Sequence, residues 1–181
     1  IMTEPVMAQV ASTHDNRSIA QHFYRVTDDR QRQRALCLLL LQHQPVSTLV
    51  FCNTKVDTRQ VAQGLQDSGF SVLALHGDLE QRDRDEILVR FSNKSVSVLV
   101  ATDVAARGLD IDSLDAVINY RIALDVEVHT HRVGRTGRAG SKGAAFSLYD
   151  EGEAHRVALL DTTVDPIMDS ELLPSLDLLK Q

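Results

Sequence analysis

Long apolar runs are missing from this 181-residue chain. The longest, Ala35 to Leu41, falls well short of the ~18 residues that a membrane-spanning helix needs. The opening Ile1-Met2-Thr3-Glu4-Pro5 has no basic stretch followed by an apolar one, so no signal peptide is expected. Cysteine is scarce. Cys37 and Cys52 both sit in apolar stretches, which argues against a disulfide framework or a metal site and for reduced, buried thiols in a cytoplasmic protein. Net positive charge is also lacking. The formal charge is -6, which argues against binding nucleic acid by bulk charge and leaves such contact to locally placed donors. Finally, no Gly-x4-Gly-Lys-Ser/Thr phosphate loop occurs, and Gly140-Ser141-Lys142-Gly143 lacks its spacing. The chain alone is therefore not expected to hydrolyse a nucleotide.

What is present is ordinary globular material, 43% hydrophobic and 24% charged, enough for one domain with an apolar core. Residues 1–16 lack periodicity and read as a lead-in, 17–162 as the domain, and 163–181, with Pro166 and Pro174, as a tail or the start of a further segment. Strands are expected at Ile19–Val26, Ser47–Cys52, Ser71–Leu75, Ser97–Ala101, Asp115–Asn119 and Ala144–Leu148. Between them lie amphipathic helices. One starts at Asp28 or Asp29 and stops before Pro45. One is capped by Thr54, buries Val61, Ala62 and Leu65, and ends at Gly69. One runs from Glu80 to Phe91, a short turn starts at Val104, and the last spans Asp150 to Leu160. Short apolar strands alternating with helices indicate an α/β fold with a mostly parallel sheet covered on both faces. Ligands of such sheets bind beyond the strands' carboxyl ends, so the loops starting at Asn53, His76, Thr102 and Tyr120 matter most.

Four segments carry chemistry. His131-Arg132-Val133-Gly134-Arg135-Thr136-Gly137-Arg138, followed by Gly140 and Gly143, reads as a loop entering a strand. Guanidinium forks fit phosphate oxygens, glycines let backbone approach a ligand, and Arg135 and Arg138 can point the same way. The bland reading is a solvated basic loop. Val100 to Asp110 runs from a buried strand into a polar turn. Thr102 stands at the strand end, where backbone N–H groups suit an anion, Asp103 reads as a helix cap, and Asp110 suits a sugar hydroxyl. Leu75-His76-Gly77-Asp78-Leu79-Glu80-Gln81-Arg82-Asp83-Arg84 sets an amide, Gln81, and a guanidinium, Arg84, one turn apart, suited to a sugar–phosphate backbone. Arg82, Asp83 and Asp85 read as a solvated helix face. Val50 to Lys55 ends a strand in a cap-like turn. Asp150-Glu151-Gly152-Glu153 imitates a magnesium-binding run but reads as a helix N-terminus, where acids are favoured.

In this order, the four segments resemble the C-terminal half of the DEAD-box RNA helicase core from Ile19 to about Leu160, with His-Arg-x-Gly-Arg-x-Gly-Arg the most specific match. The resemblance implies a RecA-like domain acting with an N-terminal RecA-like partner of the same protein. It implies that Arg135 and Arg138 meet the γ-phosphate of ATP, Arg138 as the arginine finger, and that Asp110 and Gly108 contact the nucleotide. Mg2+ would be held by the other domain, with no metal ligands in this chain. His131 and Arg107 would link the domains. Thr54, Gly77, Gln81, Arg84, Thr102 and the turn at Gly108 would bind the RNA backbone. The run His76 to Asp85 resembles a bacterial branch acting on ribosomal RNA, which implies a role in ribosome assembly. A monomer without membrane contact is expected. Relatives often carry proline near Ala123 and an aromatic near His129. The alternatives are a docking module of the same fold and a DNA helicase domain.

Overall fold

Alternating residues along the central strands divide the apolar side chains between two faces of one sheet. The computed structural model describes residues 18–107, 109, 111–137 and 142–160, so the lead-in and tail lie outside the described residues. The strands are β1 (Ser18–Arg25), β2 (Thr48–Cys52), β3 (Val72–Leu75), β4 (Val98–Thr102), β5 (Ala116–Asn119) and β6 (Lys142–Tyr149). They form one six-stranded sheet in the order β1-β6-β5-β2-β4-β3, parallel at every pairing. The expected α/β fold is therefore observed, with strand ends shifted by a residue or two. Val50, Val98, Val100 and Ile118 pack with Leu36, Leu39, Val61 and Leu65 on one face. Leu49, Leu99, Ala101 and Val117 pack with Phe91, Ala105 and Ala106 on the other.

Local chemistry sets the helix ends. Helix α1 (Asp29–His43) starts where the Asp28 side chain accepts from Gln31 N, and ends at Gln44 in the left-handed region, just before Pro45, which disfavours helix in its predecessor. Helix α2 (Lys55–Asp67) is capped by Thr54 and followed by Gly69 at φ 95°, a conformation that glycine adopts at little cost. Helix α3 spans Gln81–Ser92, and α4 is the short Asp103–Ala106. Helix α5 (Val126–Val133), capped by Asp125, is absent from the sequence expectations. Its eight residues hold three valines, a threonine, two histidines, a glutamate and an arginine, which look polar and β-branched in isolation. Its first residues are exposed, but His129, Arg132 and Val133 are buried, so tertiary contacts select the helix. A 3-10 turn at Glu151–Glu153 leads into α6 (Ala154–Leu160). Asp150 and Glu153 form a reciprocal capping box, as expected of a helix start.

That capping box also closes a buried charge network. Arg32, fully buried on α1, donates to the carbonyls of Tyr120 (2.6 Å) and Leu148 (2.9 Å), to Asp150 (2.9 Å) and to Glu153 (2.8 Å). Glu153 in turn accepts from Ile122 N at 2.9 Å. A buried guanidinium is tolerated only with such partners.

His129 on α5 lies 5% exposed beside Phe23, with 6.0 Å between ring centroids, and its Nε2 is 3.0 Å from the Gln21 side-chain oxygen. Burial, reinforced by the Arg132 charge, pushes its pKa from 6.5 down to about 4. The unfolded imidazole therefore takes up a proton that the folded one refuses. The contribution is fully present above pH 6.5 and is lost as pH falls towards 4, by up to ~3 kcal/mol. We expect chemical denaturation of His129→Phe to show a flatter stability profile between these pH values than the parent protein.

Candidate functional site

The connections leaving the neighbouring strands β2 and β5 head towards opposite ends of the sheet. A crevice therefore opens beyond their carboxyl ends, the usual ligand position in doubly wound sheets. Arg132 fills its floor. This side chain is 1% exposed, and its guanidinium lies 5.0 Å from the centre of the Phe51 ring. Each of its five N–H donors has an acceptor. Nε and Nη2 grip the two oxygens of Asp103 at 2.8 and 2.7 Å. Nη1 reaches Asn119 Oδ1 at 3.2 Å and the Arg121 carbonyl at 2.8 Å, and Nη2 also reaches Asn53 Oδ1 at 2.7 Å. These bonds tie α5 to the ends of β2, β4 and β5. The two asparagines are themselves oriented: Asn53 donates to the Ile122 carbonyl and Asn119 to Ser147.

This geometry corrects the reading of Asp103 as a helix cap. The Thr102 hydroxyl caps α4 by accepting from Ala105 N at 3.2 Å, which frees the Asp103 carboxylate for Arg132. Sequence reasoning assigned Arg132 no separate role. The one local signal is an arginine beside the apolar Val133, in a helix absent from the sequence expectations.

Beyond Arg132 the chain turns. The expectation of a loop entering a strand holds only from Gly134 onward, since His131 and Arg132 complete α5. Leu114 N donates to Arg135 O at 3.0 Å, and Leu114 and Thr136 form an isolated parallel bridge. Thr136, fully buried, donates from its hydroxyl to the Leu114 carbonyl. Gly137 has φ 75°. A Cβ placed on Gly143 would stand 2.4 Å from Gly137 N and 2.6 Å from the Thr136 hydroxyl. Glycine at 143 is thus what lets β6 run against the arginine turn.

The half-buried Arg135 points back along this turn. Its Nη1 donates to the Leu109 and Ile111 carbonyls at 3.2 and 2.9 Å, and its Nη2 to Ala106 O at 3.0 Å. Arg107 and His131 are exposed. Together with Phe51, Asp103, Val128 and Arg135 they line a cavity of about 90 Å3. The structure thus brings together Arg107, His131 and Arg135. Gly108, Asp110 and Arg138 lie outside the described residues.

A second edge runs past the ends of β2, β3 and β4. Thr54 is exposed, and its side chain accepts from Asp57 N. Gly77 is exposed with no atom within 4 Å of where its Cβ would stand, so packing within the chain does not require glycine there. Gln81 donates to Asp85 at 2.8 Å, and Arg84 donates to the Ala105 carbonyl at 3.1 Å. Thr102, 7% exposed, is turned to its capping role. Sequence reasoning missed Lys55 and Arg59, which stand beside this edge 3.0 and 3.6 Å from the Asp78 carboxylate. The Lys55 ammonium holds that carboxyl below the usual range.

Removing the Asp103 carboxylate strands a buried guanidinium. A fully buried pair would lose ~3–5 kcal/mol. Here Asp103 is 30% exposed and Arg132 keeps its other acceptors. We expect Asp103→Ala to lower unfolding free energy by about 2–3 kcal/mol, measured by denaturant titration.

The helicase conserved C-terminal domain family matches residues 31–140. The chain is 51% identical over 160 residues to the ATP-dependent RNA helicase DbpA of Escherichia coli K12, covering 88% of this chain and 35% of that protein. It is 33% identical to the E. coli DEAD-box protein SrmB in its structure bound to regulator of ribonuclease activity A, with TM-score 0.76 over 86% of this chain and 94% of that one. The RNA helicase Prp28 from Chaetomium thermophilum, bound to ADP, shares 30% identity and TM-score 0.72, over 88% of this chain and 42% of that one. The chain spans about a third of the length of the E. coli DbpA and Helicobacter pylori RhpA helicases it matches. With the helicase family match over residues 31–140 and a DEAD-box structure covered almost end to end, the chain belongs to the DEAD-box helicases, as their C-terminal RecA-like domain.

Proposed function

We propose that this chain is the C-terminal half of the core of an ATP-dependent RNA helicase that unwinds short RNA duplexes locally. One observation carries the reading: Arg107, His131 and Arg135 line a single cavity at the crevice beyond the strand ends, while the sequence contains no phosphate-cradling loop. Such a cavity is half of a nucleotide site. The E. coli relative is an ATP-dependent RNA helicase and Prp28 binds ADP, which supports the choice of nucleotide.

In this reading an N-terminal RecA-like domain of the same protein supplies the phosphate loop and holds Mg2+. Closing of the cleft brings Arg135 and Arg138 to the γ-phosphate, where they stabilise developing negative charge, with Arg138 as the finger. Arg135 reaches the phosphate by exchanging its present carbonyl partners, which charge on the phosphate favours. Asp110 and Gly108 contact the nucleotide, and His131 and Arg107 meet the first domain. Thr54, Gly77, Gln81, Arg84, Thr102 and Gly108 hold the RNA sugar–phosphate backbone, which implies little sequence preference. The open space over Gly77 suits close backbone approach. A ribosomal RNA substrate, a role in ribosome assembly, a monomeric state and a cytoplasmic location complete the proposal.

In the full-length protein, Arg138→Ala is expected to cut RNA-stimulated ATP turnover by ~10³-fold or more while the melting temperature holds. Near-normal turnover would remove the finger role. Titration calorimetry of the isolated chain is expected to show only weak ATP and RNA binding, and a tight nucleotide complex with this chain alone would contradict the divided site.

A further inference from the structure

Two arginines approach one short stretch of backbone and hold neighbouring carbonyls. Arg84, on α3, donates from Nη2 to Ala105 O at 3.1 Å. Arg135 donates to Ala106 O at 3.0 Å and to the Leu109 and Ile111 carbonyls at 3.2 and 2.9 Å. Helix α4 has four residues, so carbonyls at its end lack the partners that a longer helix would provide. Side-chain donors add to the few backbone ones: Ala106 O accepts from Leu109 N at 3.2 Å as well as from Arg135. Arg84 is half-buried and its Nε has no hydrogen-bond partner among the described residues. Its guanidinium is therefore partly desolvated and not fully satisfied, at the edge where Thr54, Gly77 and Gln81 stand.

We propose that Arg84, besides facing RNA phosphate, is a positioning residue for Arg135, acting through this run of carbonyls. The inference rests on the functional reading above. Without RNA, the hold of Arg84 on Ala105 keeps α4, Leu109 and Ile111 where the carbonyls of Ala106, Leu109 and Ile111 occupy the Arg135 guanidinium. A phosphate oxygen is a stronger acceptor for guanidinium than a neutral carbonyl, so an arriving RNA backbone draws Arg84 away. The carbonyl run loses an anchor, and Arg135 becomes easier to turn towards a nucleotide phosphate. RNA at one edge of the domain thereby favours the hydrolytic arrangement at the other. Ordinary RNA contact by Arg84 would leave the RNA-free protein unaffected, and that difference makes the two roles separable.

The test measures ATP hydrolysis by the full-length protein without RNA and with saturating RNA, for the parent protein, Arg84→Gln and Arg84→Met, alongside thermal melts. Loss of the anchor is expected to raise the RNA-free kcat by about fivefold, the scale of one hydrogen bond, and to shrink the ratio of stimulated to RNA-free rates. Arg84→Lys keeps the cation and the packing of α3, which secures a folded variant. Its single ammonium replaces the planar fork, so a smaller rise of about twofold is expected. An RNA-free rate that is unchanged or lower in the folded variants, with only the RNA concentration needed for stimulation increased, overturns the positioning role. A parent protein whose hydrolysis does not respond to RNA would instead overturn the functional reading itself.

Discussion

A guanidinium taken out of water must be given acceptors, and Arg132 obtains five of them from four residues at the ends of three strands. Desolvating that charge costs several kcal/mol unless the geometry is good. The ends of β2, β4 and β5 and the helix α5 are therefore held in one mutual arrangement. Asn53 and Asn119 have their amides fixed at both ends, and Asp103 is drawn away from a capping role that Thr102 assumes. The exposed His131 and Arg107 inherit their positions from this buried neighbour, since one flanks Arg132 and the other follows the helix that Asp103 begins.

Arg32 does comparable work beside the ends of β5 and β6. The backbone from Tyr120 to Ile122 has no regular structure, yet its polar groups are held. Arg32 donates to Tyr120 O, Arg132 to Arg121 O, and Asn53 to Ile122 O, while Glu153 accepts from Ile122 N. A loop leading into α5 thus gains definition from side chains of α1, β2's end, α5 itself and the 3-10 turn. That support also bears on the absence of proline near Ala123, because loop geometry here rests on hydrogen bonds to neighbouring elements. The histidine at 129 sits against Phe23.

The arginine turn combines close approach with competing partners. Gly143 and Gly137 let it run against β6, and Arg135 is turned onto carbonyls of the stretch after β4. A cation in this state is partly withdrawn from solvent. Neutral carbonyls hold it well enough to define a resting position, and an anionic oxygen outcompetes them. Arg84 meets the same stretch from another side, so the groups proposed to face nucleotide and RNA share one short piece of backbone.

Strand and helix periodicity were legible from residues alone because they depend on near neighbours: apolar runs such as Leu49 to Cys52, the Thr54 cap, Gly69, and the Asp150–Glu153 helix start. Spacing of arginine and glycine from His131 to Arg138 likewise marked the segment and its family. Helix α5 was not legible, because polar and β-branched residues have weak helical preference until His129 and Arg132 are buried against distant strands. Nor was the division of labour among the arginines. Identical side chains at 132 and 135 differ in the acceptors they meet, the Asp103 carboxylate and two asparagines for one and the Ala106, Leu109 and Ile111 carbonyls for the other, and most of those come from residues tens of positions away. Sequence determined which groups were available for phosphate chemistry; tertiary structure decided which cation is buried as a strut and which rests at the cavity, because desolvation and hydrogen-bond satisfaction exist only once the strand ends have come together.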